Sequence, residues 1–250
     1  MNKGSVAPSS YNHDGYKLNA YYKNRTGLLS DVKDLYADFI YRKNDAHSLG
    51  VKLYSEQETS LFRKSKFQAV YAYTIPIYKK LFISLGTQFG LANIFFGSSG
   101  ASAGGSGFAF DASLSSTFHY KTLDLGIALH QIPNTSITPL SYPFVLERYT
   151  DTYLSNKFKL NSKYELESGF NTKINQQTFL WSIDNRLALE RIGGINLRYG
   201  KENAFSTGIY FDIPVDANTV TISASYSNFF RQEDIKYHSF SIGLFCAQKQ

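Results

Sequence analysis

The sequence predicts an all-β protein whose strands close into a transmembrane antiparallel β-barrel of about fourteen strands. Three observations predict it. Hydrophobic and small polar residues alternate with period two along run after run, aromatic residues make up 16% of the chain with 19 Tyr and 20 Phe, and the links between runs alternate in length. No run of 18 apolar residues occurs, which leaves the chain without a candidate membrane-spanning helix and says nothing against a barrel.

The strands are expected, in order, near 16–25, 34–43, 47–56, 63–76, 80–95, 107–120, 121–132, 148–160, 164–175, 178–190, 194–201, 204–213, 218–228 and 237–246. Each is justified by its faces. In "GFAFDASLSSTFHY", Phe108, Phe110, Leu114 and Phe118 share one parity, and Asp111, Ser113, Ser115, Thr117 and His119 share the other. Leu123, Leu125, Ile127 and Leu129 oppose Asp124, Gly126, Ala128 and His130 in the next run. Likewise Leu81, Ile83, Leu85, Phe89 and Leu91 oppose Ser84, Gly86, Gln88, Gly90 and Ala92, and Val220, Ile222, Ala224 and Tyr226 oppose Thr221, Ser223, Ser225 and Ser227. A soluble sandwich, the alternative for this periodicity, would place Lys, Glu and Thr on its solvated face. Gly, Ser and Ala there suit a crowded, enclosed lumen, with the apolar parity facing lipid.

The links give independent support. Those after even-numbered strands are short, such as "IYKK" and "RIGG"; several after odd-numbered strands are long, such as "GSSGASAGGSG" and "QIPNTSITPLSYPFVLE". Outer-membrane barrels have short periplasmic turns, longer outer loops and an even strand count. From Phe108 to Tyr120 a strand would extend about 40 Å, or about 30 Å of height at a tilt near 40°, so these aromatics can sit at the two interfaces. Closing the last strand on the first removes the exposed edges. Residues 1–15 read as a periplasmic segment and 16–250 as a single barrel domain in a bacterial outer membrane. "MNKGSVAPSSYNHDGY" lacks an apolar targeting core, so the expectation is that a signal peptide is absent from the numbered chain.

Charges on the inner parity call for partners. With Tyr120 and Lys121 as a two-residue turn, Asp111 would lie opposite His130 and His119 diagonal to Asp124. With "NSK" as a three-residue loop, Lys159 would meet Glu165 and Lys157 would meet Glu167; Asp184, Arg186, Arg198 and Asp212 also point inward. These pairs are read first as structural. No catalytic residues emerge, so the chain is not read as an enzyme. Ser115 and His119 share a face with Asp111, but Ser115 and His119 are about 13 Å apart along a strand. The glycines of "GSSGASAGGSG" are followed by a strand and no Lys-Ser/Thr pair, so a phosphate loop is not expected. The single Cys246 lacks the companions of a metal or redox site, and it reads as a packing residue after the last strand; no metal and no cofactor are expected. The net charge of +6 is scattered among acids, against a nucleic-acid partner.

The stretch "FQAVYAYTIPIYKKLFISLGTQFGLANIFF", its Gly/Ser-rich link and "GSGFAFDASLSSTFHYKTLDLGIALHQI" resemble the middle of the PorP/SprF-like outer-membrane proteins of the type IX secretion system. "NHDGYKLNAYYKNRTG" stands where that family's opening strand does, and "YHSFSIGLFCA" where its closing strand does. The resemblance implies a barrel in outer-membrane lipid that works with type IX secretion components to export or retain a large secreted surface adhesin, a role tied to gliding motility, and it carries over no catalytic residues. Within that reading the candidate partner-binding residues are Pro139, Tyr142, Pro143 and Phe144, because Pro-stiffened aromatics lose little entropy on binding. Their alternative role is packing over the barrel mouth. A porin or small-solute transporter is the other function this barrel could serve, since fourteen strands lie between filled and open barrels.

Overall fold

The computed structural model describes residues 15–27, 32–43, 46–59, 61–98, 104–140, 143–190, 192–201, 204–216, 218–230 and 236–248. The strands are β1 (Gly15–Gly27), β2 (Val32–Lys43), β3 (His47–Thr59), β4 (Phe62–Tyr78), β5 (Leu81–Phe96), β6 (Gly105–Tyr120), β7 (Leu123–His130), β8 (Ser136–Ile137), β9 (Phe144–Val145), β10 (Tyr149–Lys159), β11 (Tyr164–Ile174), β12 (Phe179–Leu189), β13 (Gly193–Gly200), β14 (Ala204–Val215), β15 (Asn218–Phe230) and β16 (Lys236–Gln248). Fourteen of them form one closed antiparallel barrel, and β8 and β9 pair with each other as a separate ribbon. The fourteen expected strands are all present, with boundaries that differ by a few residues. The expected N-terminal segment lies, apart from Gly15, outside the described residues.

Closure is made by β1 against β16, in register from Lys17 opposite Ala247 to Gly27 opposite Tyr237. Every interior strand therefore has two hydrogen-bonded neighbours, the condition for backbone to cross hydrocarbon. The two parities separate as expected. Outward Leu53, Phe67, Leu91, Phe110, Ile127 and Ile209 are half-exposed, while inward Asp38, Ser84, Ser113, Thr117 and Ser155 are buried. This is a soluble fold turned inside out: apolar side chains cover the surface, and polar ones pack within. Cys246 lies within β16 on the outward parity, and it is a free thiol.

Two turns decide registers. The β10–β11 loop places Lys159 opposite Glu165 and Lys157 opposite Glu167, as expected. The β6–β7 turn is Lys121–Thr122, with Lys121 at φ 57°, and not Tyr120–Lys121. That moves the register by two residues and corrects one expected pair: His119 stands directly opposite Asp124, and Asp111 is not a partner of His130. The parity survives because the shift is even.

β6 runs eight residues further toward the outer side than β7 can follow, since β7 ends at His130. Residues 131–140 and 143–148 fold back over this unpaired edge. Ile132 N donates to Ala112 O at 3.0 Å and the Thr135 hydroxyl to Phe110 O at 2.9 Å, which satisfies backbone that would otherwise be orphaned.

Candidate functional site

Fourteen strands about 4.8 Å apart and tilted near 40° give a circumference of about 88 Å and a backbone diameter of about 28 Å. Such a lumen admits more than its own wall side chains, and the 131–148 segment enters its mouth. Ile137 and Leu146 are buried against the inward Ala92, Ile94 and Ala109, and Phe62, Phe96 and Phe144 complete the cluster. Phe62 lies 4.7 Å from Phe96 and 6.1 Å from Phe144 between ring centroids. Leu146 N bonds Thr135 O at 2.9 Å, tying the two arms of the segment together.

Of the four residues expected to bind a partner, Pro139 is buried beside Gly105, Pro143 is exposed, and Phe144 is half-buried in the mouth cluster. Tyr142 lies outside the described residues. The structure thus draws Phe144 and Pro139 into packing over the mouth and leaves Pro143 at the surface.

Beneath this plug lies a cavity of about 780 Å³ whose wall combines tyrosines, lysines and carboxylates. Two polar networks build it. In one, buried Asp111 accepts from Lys66 Nζ at 2.7 Å and from Gln68 Nε2 at 3.3 Å. Lys66 and Gln68 belong to β4 and Asp111 to β6, so both reach across β5. Gly90 permits it: the register places Gly90 between Gln68 and Asp111, and a Cβ there would fall 2.7 Å from Gln68 Cα. In the other network Lys52 Nζ donates to Gln88 Oε1 at 3.1 Å. Gln88 lies 3.3 Å from His130 Nδ1, which also meets the Ser113 hydroxyl at 3.1 Å, and His130 Nε2 lies 3.3 Å from Asp151. Tyr149 stacks on His130, with ring centroids 4.6 Å apart, and Lys173 Nζ lies 4.0 Å from the centroid of the Tyr149 ring.

Toward the β6–β7 turn the same device recurs. Thr117 and Tyr153 hydroxyls meet at 3.1 Å across β7, where Gly126 stands between them in register; a Cβ on Gly126 would press on the Tyr153 ring. His119 Nδ1 and Asp124 Oδ1 lie 2.7 Å apart. Inward glycines are thus crossing points that let side chains of alternate strands bond to each other. The outer rim is charged as well, with Arg25 3.0 Å from Asp34 and 3.5 Å from Glu56.

The expected lumen charges fall into two groups. Asp111 and His130 belong to the cavity networks, each with partners other than the one expected. Lys157, Lys159, Glu165 and Glu167 lie beside the β10–β11 loop, where Lys157 Nζ comes within 3.9 Å of its diagonal neighbour Glu165, with both side chains more than a third exposed. Replacing Lys157 by Ala is therefore expected to change stability by no more than about 0.5 kcal/mol, measured as a shift in the urea midpoint in lipid vesicles. The inward Asp184 and Arg198 pair at 3.5 Å, Arg186 lies 4.1 Å over the Tyr210 ring, and Asp212 accepts from the Thr221 hydroxyl. No group of three or more His, Cys, Asp or Glu able to hold a metal occurs among the described residues. Packing over the mouth is the alternative role the sequence allows for the Pro and aromatic residues of this link, whereas Lys66 as partner of Asp111 was not anticipated. The apolar "SITPLSYPFVLE" in an otherwise polar link was the available signal for the first.

Solved structures with this architecture are outer-membrane barrels. The monoaromatic hydrocarbon channel CymD superimposes with a TM-score of 0.65 at 8% identity, over 100% of this chain and 93% of that one. The Ralstonia pickettii toluene transporter TbuX gives 0.63 at 9% identity, over 98% and 92%. A Pseudomonas aeruginosa FadL homologue gives 0.58 at 9% identity, over 94% and 90%. At such identities the likeness shows a common fold. No curated protein matches the sequence. A family model does, described as type IX secretion system membrane protein PorP/SprF, and it spans residues 1–243, from before the opening strand into β16. A closed fourteen-stranded outer-membrane barrel matched over nearly its whole length by that model, this chain belongs to the PorP/SprF family of the type IX secretion system.

Proposed function

We propose that this barrel is a scaffold for secretion, holding a large secreted surface adhesin at its outer face while its periplasmic side meets other type IX components. The observation that carries this reading is the occupied mouth. Residues 131–140 and 143–148 pack on β4 to β6 inside the wall, above polar networks that tie strands β3 to β7 and β10 together, an arrangement suited to presenting a surface and poorly suited to free passage. Loops on a rigid wall are where binding surfaces are commonly built. Pro143, exposed beside the half-buried Phe144, is with Tyr142 of the same link the proposed docking residue set.

Affinity capture from native membranes tests it. The wild-type barrel is expected to bring down a giant surface protein, and replacing Tyr142 and Phe144 by Ala is expected to weaken that capture while the barrel still resists SDS unless boiled. The cavity of about 780 Å³ supports a second reading, passage of small solutes. Unchanged capture together with altered solute flux in a liposome swelling assay would favour transport over the scaffold.

A further inference from the structure

The membrane-facing side of β2 to β6 carries a concavity of its own. One row of the register runs across these five strands as Leu35, Ser55, Ser65, Asn93 and Phe108. The next row toward the membrane centre is Ala37, Leu53, Phe67, Leu91 and Phe110. Three successive small polar residues on the lipid parity are costly unless their polar atoms are satisfied. Here they are turned into the wall. The Ser55 and Ser65 hydroxyls lie 3.3 Å apart, and Asn93 Nδ2 donates to Gly107 O at 3.1 Å. What remains is an apolar dent of about 460 Å³, between the larger Leu35, Leu53, Phe67, Leu91 and Phe108. Clefts that take small ligands span about 300–1,000 Å³.

Its outer rim is basic. Two residues further along the strands, about 7 Å above the dent, the outward parity places Lys33 on β2 and Arg63 on β4, both exposed. Two strand spacings separate them, about 10 Å. The Arg63 guanidinium is held 5.4 Å from the Phe95 ring centroid, which fixes it at the edge of the dent. Among the described strand side chains these are the only outward-facing Lys or Arg in the outer half of the barrel; Lys43 lies at the opposite end.

We propose that this dent is a binding site for a single outer-leaflet lipid, a phosphorylated glycolipid of the lipid A class. One acyl chain lies in the dent and the phosphates engage Lys33 and Arg63. A cationic rim above an apolar trough is complementary to an anionic amphiphile standing with its chain toward the membrane centre. A sugar headgroup phosphorylated at both ends can address two cations about 10 Å apart, which a single glycerophosphate cannot. A zwitterionic lipid would bring its own ammonium against the rim.

Native mass spectrometry of the full chain in detergent, with lipid A, phosphatidylglycerol or phosphatidylcholine added, tests the assignment. One lipid A is expected to remain bound, at least tenfold more tightly than either phospholipid. Lys33→Gln combined with Arg63→Gln is expected to weaken retention about 30-fold, at about fivefold per charge. Ser65→Leu, which fills the dent and leaves the charges in place, is expected to reduce it as well. Both variants should keep the heat-dependent gel shift of a folded barrel. Should Ser65→Leu fail that check, the double charge variant decides alone. Equal retention of phosphatidylglycerol, no stoichiometric lipid, or full retention by the double variant would overturn the proposal. Capture of a surface protein plays no part in this readout.

Discussion

Replacing Asp111 by Ala is expected to destabilise the barrel by about 3 kcal/mol, the largest loss at any inward position considered. Its carboxylate is buried and accepts from Lys66 and Gln68, so truncation leaves the Lys66 ammonium in a confined lumen with its closest counter-charge gone. Lys66 keeps about a fifth of its side-chain exposure, which holds the loss toward the lower end of that seen for buried pairs. Unfolding in urea from lipid vesicles, followed through the emission of Trp181, the only tryptophan in the chain, measures it. The double replacement of Lys66 by Met and Asp111 by Leu should cost less than Asp111→Ala alone, since no orphaned charge remains. Additive losses would show that the two groups act separately.

On the outer surface, Phe89→Arg is expected to cost about 2–4 kcal/mol, and Leu85→Arg less than half as much. Both residues face lipid from β5, but Phe89 lies at mid-strand and Leu85 four residues from the β4–β5 turn. A guanidinium at mid-depth must distort the bilayer, whereas one near the interface reaches headgroups. The same urea measurement gives both values. Equal costs would mean that the hydrocarbon band is centred nearer the turn.

Much of this architecture was legible because a period of two survives every local accident. The fourteen strands, their two faces and the β10–β11 register followed from alternation and loop length alone. Where expectation failed, a single dihedral was responsible: Lys121 takes the left-handed conformation, and the turn moves on by one residue. Asp111 then meets β4 and not β7. Contacts such as Lys66 to Asp111 or Thr117 to Tyr153 join strands that are not neighbours. Pairwise strand reasoning cannot reach them, although an inward glycine on the strand between is a readable sign that such a crossing has room. The mouth packing was half legible: the apolar residues of the link pointed to it as an alternative, but where it sits depends on how far β6 outruns β7, a property of two strand lengths.

The seam between β1 and β16 bears on how the molecule is made. The barrel's first strand in chain order hydrogen-bonds along eleven residue pairs to its last, so a barrel lacking either strand cannot satisfy both lateral edges. Until residues 236–248 are available, β1 and β15 each present an open row of backbone donors and acceptors. The barrel therefore closes only when β16 pairs with both of its neighbours. A sheet of this chain without β16 would carry two long open edges, the feature that makes unclosed sheets prone to aggregate.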